Sequence, residues 1–124
     1  MQRTLNAGEV RIGINPITWS NDDLPELGGE TPLETCLSDG RKAGYAGFEL
    51  GNKFPREPQA LKAAMAPYGL DIVSGWHSGG LLEHGLNTEI ERITPHLDLL
   101  AAMGSNVLVY AETTGSVQGM IDTP

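Results

Sequence analysis

Glu49 lies between Phe48 and Leu50 and is followed by Gly51-Asn52-Lys53-Phe54-Pro55. In a strand, Phe48 and Leu50 point to one face and Glu49 to the other. An acid at the carboxyl end of a short buried strand, ahead of a glycine and a polar loop, stands where α/β proteins carry catalytic groups. An ion pair with a nearby Lys or Arg is the structural alternative. Asn15, Trp19, Asp22, Asn52, Lys53, Trp76, His77, Ser78, Glu112 and Gln118 likewise follow apolar runs. Trp76 beside His77 sets an apolar wall next to a titratable imidazole, a pair that suits the carbon face and hydroxyls of a polyol or sugar ring. His77 is equally a candidate for a hydrogen-bonded structural histidine. Lys53 suits polarising a carbonyl, holding a carboxylate, or simply facing solvent. Glu112 suits a base, a metal ligand or the partner of a helix dipole. Glu49, His77 and Glu112 have ligand chemistry, but no close spacing joins them into a metal signature. Cys36 falls on a helix and Ser78 has no G-x-S-x-G context, which argues against a nucleophile.

The elements that carry these residues are read from punctuation and period. Val10 to Ile14 alternates and reads as a first strand, ended by Asn15-Pro16. Ile17 to Gly29 reads as a long loop, a kind that is usually functional or mobile. Thr31-Pro32-Leu33-Glu34 reads as a capping box, with Thr31 as cap. Leu33, Cys36, Leu37, Gly40 and Ala43 then keep helical spacing up to Gly44, which suits a left-handed helix stop. After the Glu49 strand, Pro58 opens a second helix with Leu61, Ala64, Met65 and Tyr68 on one face, stopped by Pro67 and Gly69. Leu70 to Gly75 reads as a third strand, with Trp76 to Gly80 as its exit loop. A third helix runs from an Asn87 cap to Met103, with Ile90, Ile93, Leu97, Leu100 and Ala101 inward and Pro95 kinking it. Asn106 to Ala111 reads as a fourth strand buried on both faces. Strand and helix alternate, which predicts a parallel sheet with right-handed crossovers. An open doubly wound sheet and part of a (β/α)8 barrel both fit. No G-x-G-x-x-G follows the first strand, so dinucleotide binding has no support.

Bulk properties exclude several classes. The chain has 124 residues and a net charge of −8, which speaks against a nucleic-acid face. Cys36 is the single cysteine, which fits a reducing, cytoplasmic setting. No stretch approaches the roughly 20 apolar residues of a membrane helix, and Met1 to Gly8 reads as a polar, flexible tail and not as a signal peptide.

Four runs carry a family resemblance. Gly13-Ile14-Asn15-Pro16-Ile17-Thr18-Trp19-Ser20-Asn21-Asp22-Asp23 resembles the opening of the inosose dehydratases of myo-inositol breakdown. Gly47 to Pro55, Ser74 to Gly79 and Val109 to Glu112 are similar to further stretches of the same family. The wider relatives are xylose-isomerase-like barrels, which include isomerases and epimerases. The resemblance covers nearly the whole chain beyond the first eight residues and implies the first half, about four βα units, of a (β/α)8 TIM barrel. It implies a parent lyase that dehydrates 2-keto-myo-inositol with a divalent metal, manganese or cobalt, whose ligands lie mostly beyond this chain. A sugar isomerase or epimerase, or a non-catalytic half-barrel that binds a polyol, is the alternative. Glu49, His77 and Glu112 become the candidate catalytic residues. Asn15, Trp19, Asn52, Lys53 and Trp76 become candidate substrate contacts, and none of these residues is expected to ligate the metal. The 124 residues alone are expected to be inactive and, with open sheet edges, to self-associate.

Overall fold

The computed structural model describes residues 10–117, 120 and 122. The tail at 1–8 and Gln118 lie outside the described residues. Four parallel strands form one sheet in the order β1-β2-β3-β4: β1 Gly13–Ile14, β2 Gly47–Leu50, β3 Asp71–Gly79 and β4 Leu108–Glu112. Helices α1 Leu33–Lys42, α2 Pro58–Met65, α3 Leu81–His84 and α4 Leu86–Ala102 fill the crossovers. A doubly wound sheet reverses its strand order at a switch point. Here the order never reverses, which is the layout of half an α/β barrel.

Local chemistry explains most boundaries. Pro58 sits in the first turn of α2, and the Glu57 carboxylate accepts from the N–H groups of Gln59 and Ala60. These two bonds hold the Glu57 carboxyl below its usual pKa. Gly44 has φ +90° and closes α1: its N–H donates to Arg41 O and that of Tyr45 to Gly40 O, the paired bonds of a Schellman stop. The Thr31 capping box does not form. Pro32 occupies the cap position without a side-chain bond, and the Thr31 carbonyl accepts from Lys53 instead. Asn87 is not a cap either. Gly85, with φ +78°, precedes α4, and Asn87 falls inside its first turn.

The sheet edges depart from the sequence reading. The first strand is two residues long, with one further pairing through the Ile12 carbonyl, because β2 alone flanks it. The fourth strand begins at Leu108, not Asn106, and none of its residues is buried, since its outer edge has no neighbour. The Ile17 to Gly29 loop opens with a 3-10 turn over Pro16–Thr18.

The core lies between the sheet and its helices. Cys36 and Leu37 from α1, Leu61 and Met65 from α2, and Leu99 and Leu100 from α4 enclose Phe48, Leu50, Phe54, Leu70 and Ile72. Phe48 is completely buried, which contributes about 1.5–3 kcal/mol by area alone. The inward face of α4 is only partly the one expected, with Leu100 buried and Ile93 half-buried as read. Glu89, Leu99 and Leu100 are buried, whereas Ile90, Leu97 and Ala101 are exposed.

Candidate functional site

β3 runs on to Gly79, so Trp76, His77 and Ser78 are strand residues and not an exit loop. Its first half pairs with β2 and its second half with β4. Between Phe48 and Glu49 the register slips: Phe48 faces Ile72, but Glu49 faces Ser74. Val73 is the extra residue of this bulge. Straight alternation would put Ser74 on the same face as Ile72, which packs in the core. The bulge turns Ser74, and with it Trp76 and Ser78, to the opposite, inner face.

That inner face forms a cleft of about 240 Å3 at the carboxyl ends of β1, β2 and β3, lined by Asn15, Glu49, Gly51, Trp76, Ser78 and the side chains of Asp22 and Asp23 among others. Glu49 is its floor. Its Oε1 accepts from Asn15 Nδ2 at 2.7 Å and its Oε2 from Ser74 Oγ at 2.7 Å. Among the described residues, no arginine or lysine pairs with it. The indole N–H of Trp76 donates to Ser78 Oγ at 3.0 Å, so the exposed ring offers an apolar surface to the cleft. Asp22 Oδ2 accepts from the Asn52 N–H at 3.1 Å and ties the first loop to the second.

Lys53 and Asn52 line a neighbouring hollow and not this cleft. The Lys53 ammonium donates to the carbonyls of Gly28 (2.9 Å), Gly29 (2.8 Å) and Thr31, which makes it a staple for the loop. Trp19 packs on Phe48 with ring centroids 5.6 Å apart, and its indole N–H donates to Asp39 of α1. It belongs to the core layer.

His77 and Glu112 stand on the helix-facing side of the sheet. His77 Nε2 lies 2.7 Å from Glu89 Oε1 of α4, and its ring stacks on Tyr110. Glu89 Oε2 accepts from the Gly80 N–H at 3.0 Å and from Arg92 at 3.2 Å. Burial pushes the Glu89 carboxyl up, but the Gly80 N–H, His77 and Arg92 outweigh it and hold the group below its usual range. Glu112 accepts from Thr114 and from the backbone of Leu82 and Leu81, which lowers its pKa despite partial desolvation. It anchors the start of α3, the dipole-partner role. Tyr110, desolvated and facing Glu89 and Glu112, has its phenol pushed up. The structure thus joins Glu49, Asn15 and Trp76, and leaves Trp19, Lys53, His77 and Glu112 outside their cleft.

The chain is 44% identical over 116 residues to an inosose dehydratase of Geobacillus thermodenitrificans, covering 94% of this chain and 39% of that protein. It is 42% identical over 115 residues to an inosose dehydratase of Bacillus thuringiensis, again over 39% of the relative. These relatives are inosose dehydratases, and the chain corresponds to a fragment of that family. It is also 56% identical over 105 residues to the rhizopine catabolism protein MocC of Rhizobium meliloti, covering 85% of this chain and 32% of that one. The chain thus spans between 32% and 39% of the length of these curated relatives. No protein-family profile matches it.

Among the described residues no three His, Cys, Asp or Glu side chains converge, so these residues do not by themselves fit a divalent metal. Also among the described residues, no helix is long and apolar enough to cross a membrane. Ser74 is the site residue that sequence reasoning missed. Period-2 reasoning carries no signal for it, because the bulge that turns it inward is a property of the β2–β3 pairing.

Proposed function

We propose that this chain is the amino-terminal part of a lyase that dehydrates 2-keto-myo-inositol (scyllo-inosose) to a trihydroxycyclohexane-1,2-dione in myo-inositol catabolism. The observation that carries the reading is the placement of Glu49 and Trp76 in one cleft at the strand ends of a chain 44% identical to an inosose dehydratase. A carboxylate accepts from ring hydroxyls and an indole face covers ring C–H groups, the two demands of a cyclic polyol. The dehydration takes a proton from the carbon beside the ketone and expels the hydroxyl of the next carbon as water. This chain's part is to bind and orient the ring. A manganese or cobalt ion, which the family resemblance implies, would draw its ligands from the length of the relatives that this chain does not span.

The test is to incubate the full-length protein with scyllo-inosose in the presence of manganese or cobalt and to follow the ultraviolet absorbance of the diketone. Diketone formation is expected. No product with either ion overturns the lyase reading. The 124 residues alone are proposed to bind without turnover, since they supply one wall of a cleft; diketone formation by the isolated chain would reverse that.

A further inference from the structure

The Glu49 carboxylate is held from inside the fold by two donors that are themselves fixed. Asn15 Oδ1 accepts from the Ile17 N–H at 2.8 Å, which decides that its amide nitrogen, and not its oxygen, faces Glu49. Ser74 is only 8% exposed, and the Val73 bulge sets it directly opposite Glu49 in the ladder. An ionised carboxylate is acceptor-only, with about four lone-pair positions on its two oxygens. Two are taken by Asn15 and Ser74. The rest meet no donor among the described residues, and Glu49 lines the cleft. A group anchored at both oxygens keeps its position when a ligand arrives, and what it presents to that ligand is a fixed pair of acceptors. That matches a hydroxyl hydrogen, whose position is set by the polyol ring, better than a C–H bond that a base must approach and follow through the reaction.

We propose that Ser74 and Asn15 are positioning residues that hold Glu49 as a fixed acceptor for a ring hydroxyl, so that Glu49 selects the polyol and does not abstract a proton from carbon. This rests on the reading that the cleft takes a cyclic polyol. The positioning is indirect: Ser74 is buried and not part of the cleft lining, and Asn15, although it lines the cleft, gives its amide oxygen to Ile17 and an amide N–H to Glu49, so what each does for the ligand in this proposal runs through Glu49.

The experiment uses the full-length protein and myo-inositol as a non-reacting probe, titrated calorimetrically. Ser74→Ala, Asn15→Ala and Glu49→Ala are each expected to weaken binding by about tenfold, the worth of one bond to a charged group. In the Glu49→Ala background, Ser74→Ala and Asn15→Ala should cause no further loss, and Ser74→Thr should retain most of the affinity. Where turnover of scyllo-inosose is present, Glu49→Gln should raise KM and change kcat little. Equal losses with and without Glu49 would mean that Ser74 and Asn15 are merely structural, and would overturn the proposal. A collapse of kcat at unchanged KM in Glu49→Gln would overturn it in favour of a base. Failure of the wild type to bind myo-inositol would overturn it as well. Asn15 is exposed, so its variant keeps the test open if Ser74→Ala does not fold. Coupled binding losses without any diketone formation would sink the lyase reading and leave this proposal standing. Diketone formation with uncoupled losses would do the reverse.

Discussion

Gly40 shows how a single missing side chain shapes the core. A Cβ there would stand 2.4 Å from a ring carbon of Phe48, the largest side chain that is fully buried. Gly40→Ala gains about 1 kcal/mol of helix propensity but overpacks a site that cannot give, at about 1–3 kcal/mol. Urea unfolding of the full-length variant should therefore show a net loss of up to about 2 kcal/mol; a gain would mean that α1 can shift away from the ring. Helical spacing made Gly40 readable as a core-facing position, but only the packing shows which ring needs the space. Glu89 is the second telling residue. Its folded pKa lies below the usual 4.5, so in acid the unfolded chain binds more protons than the folded one, and stability rises with pH. The contribution is complete above the usual value and disappears as the pH falls through the lower, folded value. Glu89→Gln should lower Tm at neutral pH, and its difference from the wild type should shrink below about pH 4. A constant difference across thermal scans would show that the charge is irrelevant. Glu89 was not legible as a site residue, because a helix acid reads as a solvated one until the strand beneath it is known.

At the scale of elements, the loop from Ile17 to Gly29 and the loop after β2 depend on each other. Lys53 holds the carbonyls of Gly28, Gly29 and Thr31, and Asp22 accepts from Asn52. Asp22 lines the Glu49 cleft, so the Lys53 staple bears on the cleft from outside it. Lys53→Met removes the donor and leaves three carbonyls to find water. We expect about 1–2 kcal/mol less protection for this loop, or roughly tenfold faster amide exchange near Thr31, with α2 and β3 unchanged. Uniform loss of protection would instead place Lys53 in the global stability. The residue types of both loops were plain in the sequence. Their mutual tie joins positions more than twenty residues apart, and nothing local encodes it.

For the whole molecule, the decisive feature is the unreversed strand order, which leaves β1 and β4 with an open edge each. Leu86, Ile90 and Leu97 of α4 and Val107 before β4 are exposed, and Leu97 and Val107 line one hollow beside Leu108 of β4. Open edges and apolar surface favour pairing with another chain. We propose that the 124 residues in isolation associate with one another through these edges. Light scattering at micromolar concentration should report a mass above that of one chain; a strict monomer would count against the proposal. In the full-length protein the remaining length would compete for the same edges, so the isolated chain should be the more prone to associate.

The sequence by itself determined the alternation of strand and helix, the stops at Gly44 and Gly69, the start of α2 at Pro58, and the side of the sheet that Glu49 faces. Each of these follows from dihedral preferences and side-chain period over a few neighbouring residues. The tertiary structure alone decided that Ser74 meets Glu49, and that His77 and Glu112 turn to the helices. β3 pairs with β2 through its first half and with β4 through its second, and the one-residue bulge at Val73 reverses the faces of everything after it. A period of two carries no memory of such a slip, because the slip is set by the neighbouring strand and not by the residues it moves.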